Sequence, residues 1–197
     1  MKTSNTKRLV GIAMFGAIAY VLMFFAFPIL PSASFLKIDF SDIPILLGMF
    51  LYGPMGGVLI ALIRSILHYV QTGGDMGYPI GDVASFVATL TYAFPIYLII
   101  NKQLKKQKLT LPHMVMANVT GTVSMTVVMS IANWLILTPL YLAVMGFSVG
   151  PIRQYILLGI LPFNIIKGLL VSIVFIFMFS TMQSWIIKNQ ANTTLYK

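Results

Sequence analysis

The stretch "LPFNIIKGLLVSIVFIFMFSTMQSWIIK", residues 161–188, decides the architecture. It runs as apolar chain from Leu161 to Ile187 with one charge inside it, Lys167, and it closes on Lys188. About 20 apolar residues cross the hydrocarbon of a bilayer as helix, so this segment reads as a membrane span. A charged group inside such a span costs at least ~2.5 kcal/mol even on the gentlest scale. Asn164 lies three residues before Lys167, on the same helical face. The pair therefore asks what use justifies two polar groups there.

The rest of the chain agrees with a membrane reading. Of 197 residues, 58% are hydrophobic and 9% charged, against roughly a quarter charged in a soluble domain. Six hydrophobic segments follow one another, and the spacing predicts helices over about residues 9–27, 39–52, 55–70, 82–101, 112–137 and 158–187. The fold class expected is all-α: one domain over 1–197, a bundle of six transmembrane helices. The basic start resembles a signal peptide, but its apolar run is about 20 residues, longer than an h-region, and reads as an uncleaved first helix. "QTGGDMGYPIGD", residues 71–82, is a Gly-rich polar loop long enough to serve a function.

Charge orients the bundle. The net charge of +9 comes from 13 Lys and Arg against 4 Asp and Glu. Its plain meaning is topology rather than nucleic-acid binding, because cationic loops stay cytoplasmic. With six spans and cytoplasmic termini, Lys2, Lys7, Arg8, Lys102, Lys105, Lys106, Lys108, Lys188 and Lys197 fall inside. Only Lys37 and Arg153 fall outside. The four acids, Asp39, Asp42, Asp75 and Asp82, all fall on the outer half.

Depth follows from 1.5 Å per helical residue. Counting about 20 residues up the last helix from Ile187 reaches the level of Lys167. The same count on the fifth helix reaches Asn133, and on the fourth, Asp82. Polar residues of three helices converge just inside the outer face. Lys167 alone is open to snorkelling toward headgroups, and Asn133 or Asn164 to an interhelical hydrogen bond; together they point to a polar ligand pocket. Two further pairings come from the Gly53 turn, with Asp42 matched in depth to Arg64 and Asp39 to His68.

Several kinds of chemistry find no motif. The chain lacks Cys and carries no phosphate-binding G-x-x-x-x-G-K-[ST], no H-E-x-x-H and no G-x-S-x-G. No catalytic, metal or ATP site is expected, so uphill movement of a substrate needs a partner. Ala13, Gly16 and Ala17 form a small-residue pattern in the cytoplasmic half of the first helix, suited to close helix approach.

"KIDFSDIPILLGMFLYGPMGGVLIALIRSILHY", residues 37–69, closely resembles helices 2 and 3 of the riboflavin-specific S-components of energy-coupling factor (ECF) transporters. The Ala13-xxx-Ala17 pattern and "NIIKG" at 164–168 also match. The resemblance implies a riboflavin-binding subunit, multi-pass in the bacterial plasma membrane and not itself an enzyme. Riboflavin would be ligand rather than cofactor, with flavin mononucleotide as a further ligand. It implies docking through Ala13, Gly16 and Ala17 onto a transmembrane coupling subunit powered by two cytoplasmic ATPases. It also implies ring contacts from Asn133, Asn164 and Lys167, and contacts to the ribityl chain from Lys37, Asp39 and Phe40. Tyr78, Phe86 and Tyr92 are aromatic candidates by position, though core packing accounts for each equally well. The rival readings are an S-component for another vitamin and a membrane assembly subunit without a transport role.

Overall fold

A computed structural model describes residues 5–30, 36–146 and 150–194 of the chain. Helix α1 (Asn5–Met23) leads to a two-residue strand pair, β1 (Phe27–Pro28) against β2 (Lys37–Ile38). The bundle continues with α2 (Asp42–Tyr52), α3 (Pro54–Thr72), α4 (Ile80–Lys105) and α5 (Leu111–Ala132). A π-helical turn (Asn133–Leu137) joins α5 to α6 (Thr138–Met145). After α7 (Ile152–Tyr155), a second π turn (Ile156–Ile160) leads into α8 (Leu161–Thr194).

Five helical segments are long and apolar enough to cross a bilayer: Asn5–Met23, Pro54–Thr72, Ile80–Lys105, Leu111–Val144 and Ile152–Asn189. The expected second span is a shorter helix. Its 11 residues are about half of the ~20 that a crossing requires. Asp42 through Leu51 are all buried, as suits a helix that is hydrophobic on every side. α2 is thus a plug within the bundle, and it carries Asp42 to the interior.

Other boundaries shift for local reasons. The first helix ends at Met23 rather than near 27, because the chain turns at 24–25 and Phe27 and Pro28 pair antiparallel with Ile38 and Lys37. The Thr138–Pro139 pair reads as a break in the sequence, yet helix continues to Met145. A proline ring collides with the carbonyl four residues back. The π turn ending at Leu137 widens the helix just before Pro139, and the turn ending at Ile160 does the same before Pro162. Such single wide turns occur often at functional sites.

Close helix approach rests on small residues. A Cβ on Gly121 would stand 2.6 Å from the Tyr92 carbonyl oxygen of α4, and one on Gly168 would stand 2.5 Å from the Thr122 side chain. Those glycines bring α5 against α4 and α8 against α5. Beneath them Phe50, Phe175 and Phe179 form an aromatic cluster, with Phe50 and Phe179 ring centroids 4.8 Å apart.

Candidate ligand cavity

The helices enclose a cavity of about 640 Å³ at the end of the bundle that holds the start of α4, opposite Lys102 and Lys105. That volume falls within the ~300–1,000 Å³ usual for small-molecule sites. α4 supplies Asp82, Ser85 and Ala88 to one wall at helical spacing. The two π turns and their flanks supply Asn133, Leu137, Thr138, Tyr155 and Ile160 to the other. Asn164 and Lys167 of α8 line it, with Lys37 of β2 and Asp39 just after it. The three-helix convergence read from depth counting is one lined space.

Its floor is ionic. Asp42 Oδ1 lies 3.3 Å from Arg64 Nη1, and Asp42 Oδ2 lies 3.3 Å from Lys167 Nζ. Thr89 Oγ1 donates to the same carboxylate. Arg64 is wholly buried and donates to Ser41 Oγ at 2.8 Å, Thr89 Oγ1 at 3.0 Å and Ser85 Oγ at 3.1 Å. The sequence pairing of Asp42 with Arg64 is present, and Lys167 joins it. Lys167 is 6% exposed, so its ammonium does not reach out to headgroups. Two cations share one anion, and a charge this deep is stabilised only by such partners.

The second pairing is corrected. His68 Nδ1 meets Asp82 Oδ1 at 2.6 Å, not Asp39. Helix arithmetic fails at Asp39 because it precedes α2; its carboxylate accepts the Ser41 N–H at 2.8 Å instead. Each amide of the pocket is anchored by its own helix: Asn133 Nδ2 donates to the Met129 carbonyl and Asn164 Nδ2 to the Ile160 carbonyl, both at 2.8 Å. An amide has two donor hydrogens and an acceptor oxygen, so each keeps polar capacity for a ligand in a fixed orientation.

Four aromatic candidates stand away from the cavity lining. Phe40 is half-buried and packs near Phe27, with centroids 6.3 Å apart. Tyr78 is exposed, its backbone paired with Asp75. Phe86 packs against the cluster around Ile12, Ile45 and Ile60. Tyr92 lies one turn beyond Ala88, below the floor, where its hydroxyl donates to Asn118 Oδ1 at 3.2 Å and meets Ser172 Oγ at 2.9 Å. The rings that do line the site are Tyr141, Tyr155 and Phe163. Tyr141 and Phe163 closely follow Pro139 and Pro162, and Tyr155 has no such local mark.

On α1, Ala13 and Ala17 are exposed, whereas Gly16 is buried. A Cβ on Gly16 would stand 2.7 Å from Ile63, so this glycine serves packing of α1 on α3 and not an outward docking face. Among the described residues no group of three His, Cys, Asp or Glu is placed to hold a metal ion.

Comparison with known proteins agrees with this architecture. The family described as "ECF transporter, substrate-specific component" matches residues 7–179. The chain is similar to the riboflavin transporter FmnP of Bacillus subtilis (strain 168), 34% identical over 92% of this chain and 95% of that one. It is also similar to the riboflavin transporter RibU of Staphylococcus aureus (strain TCH60), 36% identical over 94% and 95%. A solved structure described as "Structure and mechanism of the S component of a bacterial ECF transporter" superposes with a TM-score of 0.75 at 37% identity, covering 92% of this chain and 98% of that one. With its family match spanning most of its length, the chain belongs to the substrate-specific components of ECF transporters.

Proposed function

We propose that this protein captures riboflavin at the outer face of the bacterial plasma membrane as the substrate-binding subunit of an ECF importer. The observation that carries the reading is the cavity of about 640 Å³ lined by Asn133, Asn164, Lys167, Lys37 and Asp39, in a chain whose relatives are named riboflavin transporters. Riboflavin is uncharged and flat, edged by carbonyl and ring-nitrogen acceptors. Lys167 and the two amides supply donors to that edge, while Leu137, Ile160 and Phe163 supply apolar faces. The ribityl hydroxyls are assigned in part to Lys37 and Asp39, and flavin mononucleotide is the further, weaker candidate ligand.

The remaining machinery is partners. The whole chain is one membrane-embedded binding domain with cytoplasmic termini, an orientation supported by nine Lys and Arg on one side. Exposed Ala13 and Ala17 offer the close-packing stripe for a transmembrane coupling subunit, which two cytoplasmic ATPases drive. Binding and hand-over, with no chemical conversion, is the role assigned to this subunit.

The test is to purify the protein in detergent from cells supplied with riboflavin and record its flavin absorbance. The stripped protein is then titrated with the vitamin by calorimetry. A yellow protein that rebinds one riboflavin per chain is expected. A colourless protein that produces no heat with riboflavin overturns the reading and favours another vitamin.

A further inference from the structure

Three carboxylates line the cavity, and each has one oxygen held by local donors. Asp39 Oδ1 accepts the Ser41 N–H, Asp82 Oδ1 meets His68 Nδ1, and Asp75 Oδ2 accepts both Tyr141 Oη–H and the Gly81 N–H at 2.8 Å. Among the described residues, the second oxygen of each has no protein donor. Beside Tyr141, three residues earlier on α6 and so on the same face, Thr138 is 3% exposed and its hydroxyl has no hydrogen-bond partner. Thr138 also lines the cavity. A buried hydroxyl left unpaired costs free energy unless a ligand or water satisfies it.

The cations of the lining do not offset this wall evenly. Lys167 is already bound to Asp42 at the floor, and Lys37 of β2 is exposed. Asp75 is held in place by a loop of left-handed turns, with positive φ at Gly73, Gly74, Met76 and Gly77. Its hydrogen bonds to Tyr141 and Gly81 tie that loop to α6 and α4 across the cavity.

We propose that Asp75 and Asp82, with Thr138, form the wall that selects the ligand's side chain: the open carboxylate oxygens accept hydroxyl donors and repel a terminal phosphate. The inference rests on the riboflavin reading and deepens it. A hydroxylated, uncharged chain matches three acceptors. A phosphate carries about −1.5 to −2 charges at neutral pH and offers no donor to them. The site therefore separates riboflavin from flavin mononucleotide by charge, and from lumiflavin, the same ring without the polyol, by hydrogen bonding.

The experiment measures dissociation constants of riboflavin, flavin mononucleotide and lumiflavin for the detergent-solubilised wild type, Asp75→Asn and Asp82→Asn. The wild type is expected to bind flavin mononucleotide and lumiflavin each at least tenfold more weakly than riboflavin. In either variant the ratio of the mononucleotide constant to the riboflavin constant should fall at least threefold, whatever happens to affinity in general. A purely structural role weakens all three ligands together and leaves the ratios fixed, which would overturn the inference. If the variants do not fold, a wild type that binds the mononucleotide as tightly as riboflavin overturns it alone. Absence of riboflavin binding by the wild type removes the functional reading itself, and this inference with it.

Discussion

Asp42→Asn is the perturbation with the clearest arithmetic. The carboxylate sits 3.3 Å from both Arg64 and Lys167 and is 1% exposed. At an effective dielectric constant near 20, each attraction is about 5 kcal/mol before desolvation. Removing one member of a buried ion pair costs roughly 3–5 kcal/mol in practice, since a charge is left uncompensated. The asparagine keeps a carbonyl for Thr89 and a similar volume, so the loss is one of charge. Against a total stability of about 5–15 kcal/mol, that is a large share. With about 2–4 °C per kcal/mol for a chain of this size, the melting temperature of ligand-free protein in detergent should fall by about 6–20 °C, read from Trp134 and Trp185 fluorescence. Lys167→Met alone leaves Arg64 and Asp42 paired and should cost less than half of that. In the double variant the anion leaves with one of its two cations, and it should melt above Asp42→Asn. An Asp42→Asn protein melting within about 2 °C of wild type, or a double variant no better than the single, would refute the shared-carboxylate floor.

Lys167→Ala should weaken riboflavin binding at least tenfold in titration while the protein stays folded, since one hydrogen bond from a charged donor contributes about 1.5–3 kcal/mol. Ala13→Trp should abolish uptake and assembly with the coupling subunit in a pull-down, yet spare binding by the solitary subunit, because Ala13 is exposed and far from the cavity lining. Gly16→Trp, in contrast, should lower the melting temperature of the isolated subunit through its collision with Ile63. Gly168→Leu should prevent α8 from seating on Thr122 and should yield little monodisperse protein in size-exclusion chromatography.

Much of this fold is legible in the chain because lipid simplifies the code. Long apolar runs read as six spans, of which five have crossing length in the structure, and the level of Lys167, Asn133 and Asp82 followed from rise per residue. Asp42 with Arg64 was legible too, since both lie within regular helix on either side of Gly53. Asp39 with His68 failed because the helix begins three residues later than the arithmetic required. The burial of α2 on every side was hidden, as a fully buried helix has the same composition as a lipid-facing one. The π turns were hidden as well: Pro139 reads as a break and Pro162 falls inside the last predicted helix, whereas a widened turn carries the helix past each and delivers Tyr141 and Phe163 to the cavity. In the sequence Asp75 reads as an outer-half acid within a polar loop. Its hydrogen-bond partner Tyr141 is 66 residues away, and no local pattern encodes that contact.

The most direct measurement is a crystal structure of the protein grown with saturating riboflavin. The flavin ring is expected in the cavity above the Asp42 floor, with its heteroatom edge within hydrogen-bond distance of Asn133, Asn164 and Lys167. An empty cavity, or a vitamin bound elsewhere on the bundle, would contradict this placement.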